Sequence, residues 1–177
     1  MFAEKGPRAS MIEIARECGL SPTALYYHFA GKDELFSAAV ETVAEQVEEA
    51  TAQAERDATS PLPMYQAVEA VWRWNAEHHN EARLLYSWTT SGPPAARSAR
   101  ERFVDYYRHK VLDRMPGRPR ENSIDDLVDR LAARTYMTLA MGMSEAWVNG
   151  EPIGGTHDQG QIVPALAVVS RRLTGAP

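Results

Sequence analysis

Several side chains with polar tips lie close together near the N-terminus, around two adjacent tyrosines. The set is Thr23, Tyr26, Tyr27 and His28, followed shortly by Lys32. Hydroxyl, imidazole and ammonium groups make hydrogen bonds to base edges and to phosphate oxygens. These residue types therefore indicate nucleic-acid recognition, provided that one structural element presents them on a single side.

The flanking residues predict such an element, formed by two short helices joined by a tight turn. The first helix has an apolar side composed of Met11, Ile14, Ala15 and Cys18. Gly19 supplies a left-handed turn, and Ser21 with Pro22 favours a second helix from about Pro22 to about His28. Leu25 would face inward and the polar-tipped residues outward, as in a helix that enters a major groove. Cys18, the only cysteine, is expected to be a small buried side chain.

A purely structural interpretation of the same residues stays open. The tyrosines would then be core aromatics and Lys32 a solvated charge. Two adjacent tyrosines on a helix cannot both point inward, however, so at least one needs another explanation. A cation at a helix N-terminus also loses favourable dipole energy, which a bound phosphate would restore.

The segment from about Phe2 to Val43 resembles the DNA-binding domain of the TetR family of bacterial transcriptional regulators. The family's recognition helix is rich in aromatic residues and is followed by Gly or Ser, Lys and an acidic first turn, which here are Tyr26-Tyr27-His28-Phe29 and Gly31-Lys32-Asp33-Glu34-Leu35. The resemblance implies that a phosphate contacts Lys32 and that DNA faces Thr23, Tyr26, Tyr27 and His28.

One feature departs from the family pattern. Members normally carry a full first helix before this motif, whereas here only its last turn, Phe2–Lys5, precedes Gly6 and Pro7. We therefore expect either a natural start further upstream or weak DNA binding. In the second case the alternative function is a small-molecule sensor or partner-binding module that lacks DNA binding.

Composition predicts a soluble, cytoplasmic, all-α protein. Apolar residues make up 44% of the chain and charged residues 24%, and no apolar stretch is long enough to span a membrane. The net charge of −5 argues against indiscriminate binding to nucleic acid, so DNA contact must depend on local placement and dimer symmetry. We expect a helix-turn-helix DNA-binding domain over residues 1–45 and a larger helical ligand-binding and dimerisation domain over residues 46–177.

A long helix from about Lys32 to about Arg56 should connect the two domains, because its acidic first turn is followed by a continuous apolar stripe. Apolar periodicity and breaks at Pro and Gly predict the remaining helices near Pro63–His79, Glu81–Thr90, Pro94–Arg114, Ser123–Asn149 and Asp158–Leu173.

Polar residues that fall within apolar helical arcs predict a small-molecule site in the larger domain. Buried polar groups need partners, and an apolar pocket with a few convergent polar groups is the usual form of such a site. The candidates are Trp72, Asn75, His78, His79, Trp88, Phe103, Tyr107, Arg134, Thr138 and Met141. We expect a small apolar or aromatic effector. The histidines could instead be hydrogen-bonded core residues, and Arg134 could pair with Glu145 or Asp129.

The helix containing Met141 is apolar nearly all the way round, so two surfaces must cover it. Together with the resemblance, this predicts a homodimer interface that includes Met143, Trp147, Ile162, Leu166, Val169 and Leu173. The implied function is a repressor that binds a palindromic operator as a dimer and is released by a small molecule. No cofactor or metal is expected, and catalysis is disfavoured because His78 and His79 point about 100° apart on a helix and no nucleophile or phosphate-loop motif is present.

Overall fold

The structure, a computed structural model, describes residues 1–57, 63–89, 92–113 and 123–174. The regular structure in these ranges is helical, which confirms the all-α class. The helices are α1 Phe2–Lys5, α2 Met11–Glu17, α3 Pro22–His28, α4 Lys32–Arg56, α5 Pro63–Glu77, α6 His79–Arg83, α7 Pro94–Asp113, α8 Ile124–Val148 and α9 Gln159–Thr174. A 3-10 turn at Gly6–Arg8 follows α1, and a π-helical segment at Leu84–Trp88 follows α6. None of these helices is both long and apolar enough to cross a membrane.

The predicted helices agree closely with the observed ones. The bounds of α3 and α4 are as predicted, and the ends of α5, α7, α8 and α9 lie within about two residues of those expected. One helix differs, because the predicted Glu81–Thr90 is divided into α6 and the π-helical segment, separated from α5 by His78 with φ −126° and ψ 52°. The predicted ends at Thr90 and Arg114 lie outside the described residues.

The N-terminal helices are held by side-chain caps and a small core of their own. Ser10 and Glu13 form a reciprocal capping box at the start of α2, and the Ser21 hydroxyl accepts a hydrogen bond from the Ala24 amide at the start of α3. The hydrogen bonds from Lys5 and Ser10 lower the pKa of Glu13 to about 2. The buried core residues of this unit are Ala9, Met11, Ile14, Ala15 and Leu25.

The prediction that Cys18 is buried was wrong, because its side chain is exposed. The last residue of α2 is Glu17, and Cys18 is the capping residue with ψ 0°. The chain turns towards Gly19 at this point, so the helical repeat that places Ile14 inside no longer determines where Cys18 points.

Helix α4 connects this unit to the main core. Its buried side faces α5 and α7 and contributes Phe36, Val40, Val43 and Val47. Leu35, at the start of the same helix, packs on the N-terminal core instead. Two clusters of buried side chains are therefore built on one continuous helix.

A second connection forms where the N-terminal turns contact the π-helical segment. The Trp88 indole N–H donates to the carbonyl oxygen of Ala3 at 2.8 Å, and the rings of Phe2 and Phe36 meet edge to face at 5.0 Å. Gly6 has a φ of +54°, and a Cβ there would lie 2.4 Å from Cε3 of Trp88. Only glycine fits this contact without displacing the indole.

We predict that Gly6→Ala destabilises the protein far more than Gly19→Ala. Both glycines have positive φ, but a Cβ at Gly19 meets nothing within 4 Å. Backbone strain should cost about 1–3 kcal/mol at Gly6, whose ψ of −141° is essentially restricted to glycine, and about 1–2 kcal/mol at Gly19. Overpacking against Trp88 should add about 1–3 kcal/mol for Gly6→Ala. Urea unfolding of the two variants and the wild type measures the difference. Equal losses would show that Trp88 does not pack tightly on Gly6.

Candidate DNA-binding face and interior cavity

Helix α3 presents the predicted recognition residues on one exposed side. Tyr26 is 54% exposed and Tyr27 86%, and Thr23 and His28 are also exposed. Leu25, on the opposite side, is buried in the small core. The rings of Tyr27 and His28 contact each other edge to face at 5.2 Å. Neither tyrosine is a core aromatic, so this side of α3 is available for an external contact.

Lys32 is the first residue of α4 and is half-buried. Gly31 precedes it in an extended conformation and supplies no side-chain cap, while Glu34 accepts a hydrogen bond from the Ala30 amide at 2.6 Å. Backbone N–H groups in a first helical turn, next to an ammonium group, form a favourable position for a phosphate oxygen. Lys32 follows α3 by only a few residues along the chain. One DNA duplex could therefore place a phosphate at Lys32 and base edges against the exposed side of α3.

An apolar cavity of about 80 Å³ lies in the larger domain, where α5, α7, α8 and α9 meet. Four of the predicted ligand residues line it: Trp72, Phe103, Tyr107 and Met141. The other apolar lining residues include Ala67, Val68, Val71, Val111, Tyr136, Met137, Leu139, Ala140, Met143, Leu166 and Val169. The Tyr107 hydroxyl is already bonded to Thr51 Oγ1 at 2.6 Å and to the Val47 carbonyl at 3.2 Å.

The remaining predicted ligand residues lie away from this cavity. His78 stacks on Trp74 at 4.6 Å, the exposed His79 contacts the edge of Trp147, and Trp88 bonds to Ala3. Arg134 and Thr138 line an open groove on the outer side of α8. The break in the helix at His78 explains part of the disagreement between the predicted and observed positions. Residues beyond the break are no longer in the helical register of α5.

Asn75 lies in the core beside the cavity and not on its wall. The residue has no exposed surface, and within the described residues neither Oδ1 nor Nδ2 makes a hydrogen bond of good geometry. Each unpaired buried polar group costs about 1–3 kcal/mol. Tyr86, which lines the cavity, lies next to Asn75. Burial raises the pKa of Tyr86 to about 12, although side-chain hydrogen bonds with Asn75 and Ser144 oppose the increase. Tyr86 is therefore a neutral hydrogen-bond donor at physiological pH.

Sequence reasoning did not identify Tyr86 or Ser144 as candidates. Ser144 follows Met141 by one helical turn, and this spacing could have revealed it. No comparable signal marks Tyr86, because its position depends on the π-helical segment, whose sequence has ordinary helical periodicity.

The residues predicted for the dimer interface mostly pack within their own chain. Ile162 is 3% exposed and Leu166 8%, and both bury Trp72 together with Met143 and Trp147. Val169 is partly exposed, and the side chain of Leu173 lies outside the described part. The exposed apolar residues on α8 form a different set at helical spacing, namely Ile124, Leu127, Val128, Leu131 and Leu139.

Comparisons with known proteins agree with the geometry. Residues 1–39 match the family model for bacterial regulatory proteins of the tetR family. No curated protein matches the sequence. One similar solved structure is a TetR-like transcriptional regulator from Rhodococcus sp. RHA1, with 20% identity, a TM-score of 0.65, and coverage of 98% of this chain and 87% of that chain.

Two further structures are similar over nearly the whole chain. A bacterial regulatory protein in the tetR family from Rhodococcus RHA1 has 20% identity and a TM-score of 0.67, covering 98% of this chain and 90% of that one. The TetR family transcriptional regulator PfmR from Thermus thermophilus has 22% identity and a TM-score of 0.64, covering 97% and 92%. Residues 1–39 therefore match the N-terminal domain of the tetR family of bacterial regulatory proteins, and the chain has the fold of these solved TetR-family structures.

Proposed function

We propose that this protein is a cytoplasmic repressor that binds a palindromic operator as a homodimer and is released by a small apolar or aromatic molecule. The observation that carries the proposal is the exposed side of α3, where Tyr27 is 86% exposed. An aromatic side chain with a hydroxyl tip, left in solvent beside Tyr26 and His28, is suited to contacts with bases and phosphates in a major groove.

The low overall charge determines how such a protein would bind DNA. With a net charge of −5, the chain as a whole repels a duplex, so affinity depends on local contacts such as Lys32 and on the use of two copies. A two-fold dimer would place its recognition helices about 34–36 Å apart, one turn of B-DNA. Dimer symmetry then matches the symmetry of a palindromic site.

The exposed apolar stripe on α8 is the surface that best suits a second copy of the chain. It includes Leu127, Leu131 and Leu139, and it borders the open groove that continues to Gly142 and Ile153. Val168 and Val169 on α9 are also partly exposed. A second pair of α8 and α9 helices would cover these residues in a four-helix interface.

Two connections could transmit an effector signal from the cavity to the DNA-binding face. The first is α4, which supplies the core around Val43 and Val47 and has Lys32 at its start. The second is the π-helical segment, in which Tyr86 lines the cavity and Trp88 bonds to Ala3. An effector that prefers one arrangement of these elements weakens operator binding by its differential affinity for the two states.

We predict that Tyr27→Ala and Lys32→Ala both weaken operator binding, but in different ways. Loss of Lys32 removes one phosphate contact, so affinity should fall about equally for all DNA sequences. The salt slope, which is the slope of log affinity against log salt concentration, should become less steep by about one unit. Loss of Tyr27 should change sequence preference. Fluorescence anisotropy over a range of salt concentrations, with an operator selected from random DNA, measures both effects.

The matched control is Arg56→Ala, which removes a cation from the far end of α4, where Arg56 pairs with Glu49. Its salt slope should equal that of the wild type. An unchanged affinity and salt slope for Lys32→Ala would refute the phosphate contact. Absence of sequence-specific binding by the wild type would instead support the alternative of a sensor without DNA binding.

We predict that Leu131→Glu converts the dimer to folded monomers. Leu131 is 54% exposed in the single chain, so a carboxylate there leaves the subunit core intact but would be buried without a partner in the interface. Leu166→Asp should instead unfold the subunit, because Leu166 already packs on Trp72. Sedimentation velocity and circular dichroism distinguish the two outcomes.

Gln46→Glu adds the same charge to an exposed position on α4 and should remain dimeric. Dimers of undiminished stability in Leu131→Glu would exclude the α8 stripe as the interface.

A further inference from the structure

The cavity has one polar end, formed by side chains from three different elements. Tyr86 of the π-helical segment and Ser144 of α8 line the cavity there, and Asn75 of α5 lies close behind the Tyr86 hydroxyl. In the described structure the amide of Asn75 is fully buried and makes no hydrogen bond of good geometry, although it lies close enough to Tyr86 to lower the pKa of that phenol. Buried polar groups in native proteins are nearly always paired, so this end lacks a group that completes the network.

The charges around the cavity exclude a charged ligand. Among the described lining residues the charged ones are Glu55 and Lys110, which pair with each other at 3.1 Å. Because Glu55 and Lys110 already neutralise each other, an ionic ligand would have to break this pair or enter an apolar space, and either is unfavourable. The positive charge of Arg100, which is not part of the wall, lowers the pKa of Tyr86 and so makes its hydroxyl a better hydrogen-bond donor. A neutral group with an accepting oxygen suits this end best.

We infer that the polar end formed by Asn75, Tyr86 and Ser144 binds the carbonyl oxygen of an uncharged, mainly apolar effector, an assignment that rests on the effector role proposed above. The Tyr86 O–H donates to the carbonyl oxygen. With its proton directed to the ligand, the Tyr86 oxygen accepts from the Asn75 amide, so the existing contact between these two side chains becomes a well-formed hydrogen bond. Each donor in such a chain polarises the next, so the completed network is stronger than its separate bonds.

Three probes of similar size and different polarity test the inference: ethylbenzene, acetophenone and benzoate. Isothermal titration calorimetry of the wild type should show acetophenone binding about tenfold more tightly than ethylbenzene, as one good buried hydrogen bond predicts. Benzoate should bind most weakly. In Tyr86→Phe, which keeps the ring, the preference for acetophenone should fall to within about twofold while ethylbenzene affinity is unchanged.

Tyr106→Phe is the matched control, because it removes a tyrosine hydroxyl from a residue of α7 that does not line the cavity. It should keep the wild-type preference. If Tyr86→Phe does not fold, Ser144→Ala serves in its place and should reduce the same preference.

The outcomes separate this inference from the proposed function. Equal binding of ethylbenzene and acetophenone would leave the cavity as an effector site and overturn the polar end. Tightest binding of benzoate would overturn the uncharged class of ligand. Binding of none of the probes would overturn the effector role and the polar end together, whereas the DNA-binding measurements would still stand.

Discussion

The burial of one side of α4 is the interaction on which the rest of the structure depends. A helix of 25 residues is about 37 Å long, too long to belong to one small core, and packing of its apolar side supplies most of the stability of such a helix. Phe36, Val40 and Val47 are completely buried against the larger domain, and each such side chain stabilises the fold by about 1.5–3 kcal/mol. Because Lys32 begins the same helix, the position of the DNA-binding face is determined by packing in the larger domain.

The N-terminal half of the fold could be predicted from sequence because its signals are local. Ser21 and Pro22 specify where α3 begins, and the acidic first turn of α4 specifies where that helix begins. Both signals lie within a few residues of the helix start that they determine. The outward orientation of Tyr26 and Tyr27 follows from the same local geometry, since Leu25 must face inward. Cys18 shows the limit of this reasoning, because a helical wheel cannot show that the helix has already ended.

The larger domain was harder to predict because a wheel shows which side of a helix is apolar but not what covers it. Ile162 and Leu166 were expected at a dimer interface, yet α5 of the same chain covers them. The exposed stripe on α8 became visible only when the neighbours of each helix were known. The cavity depends on the sizes of side chains from several helices, and periodicity carries no information about the space left between them.

The unpaired amide of Asn75 links stability to regulation. Its cost of about 1–3 kcal/mol per unpaired group weakens the ligand-free fold, and an apolar side chain of the same shape would avoid that cost. In the proposed binding mode, a ligand carbonyl that accepts from the Tyr86 hydroxyl would leave the Tyr86 oxygen to accept from the Asn75 amide and would so recover part of that free energy. Coupling free energies between allosteric sites are typically about 1–3 kcal/mol, so one buried amide is enough to supply a useful preference for the liganded state. Because Tyr86 and Trp88 share the π-helical segment, that preference acts on the element that contacts Ala3 and Gly6 in the DNA-binding unit.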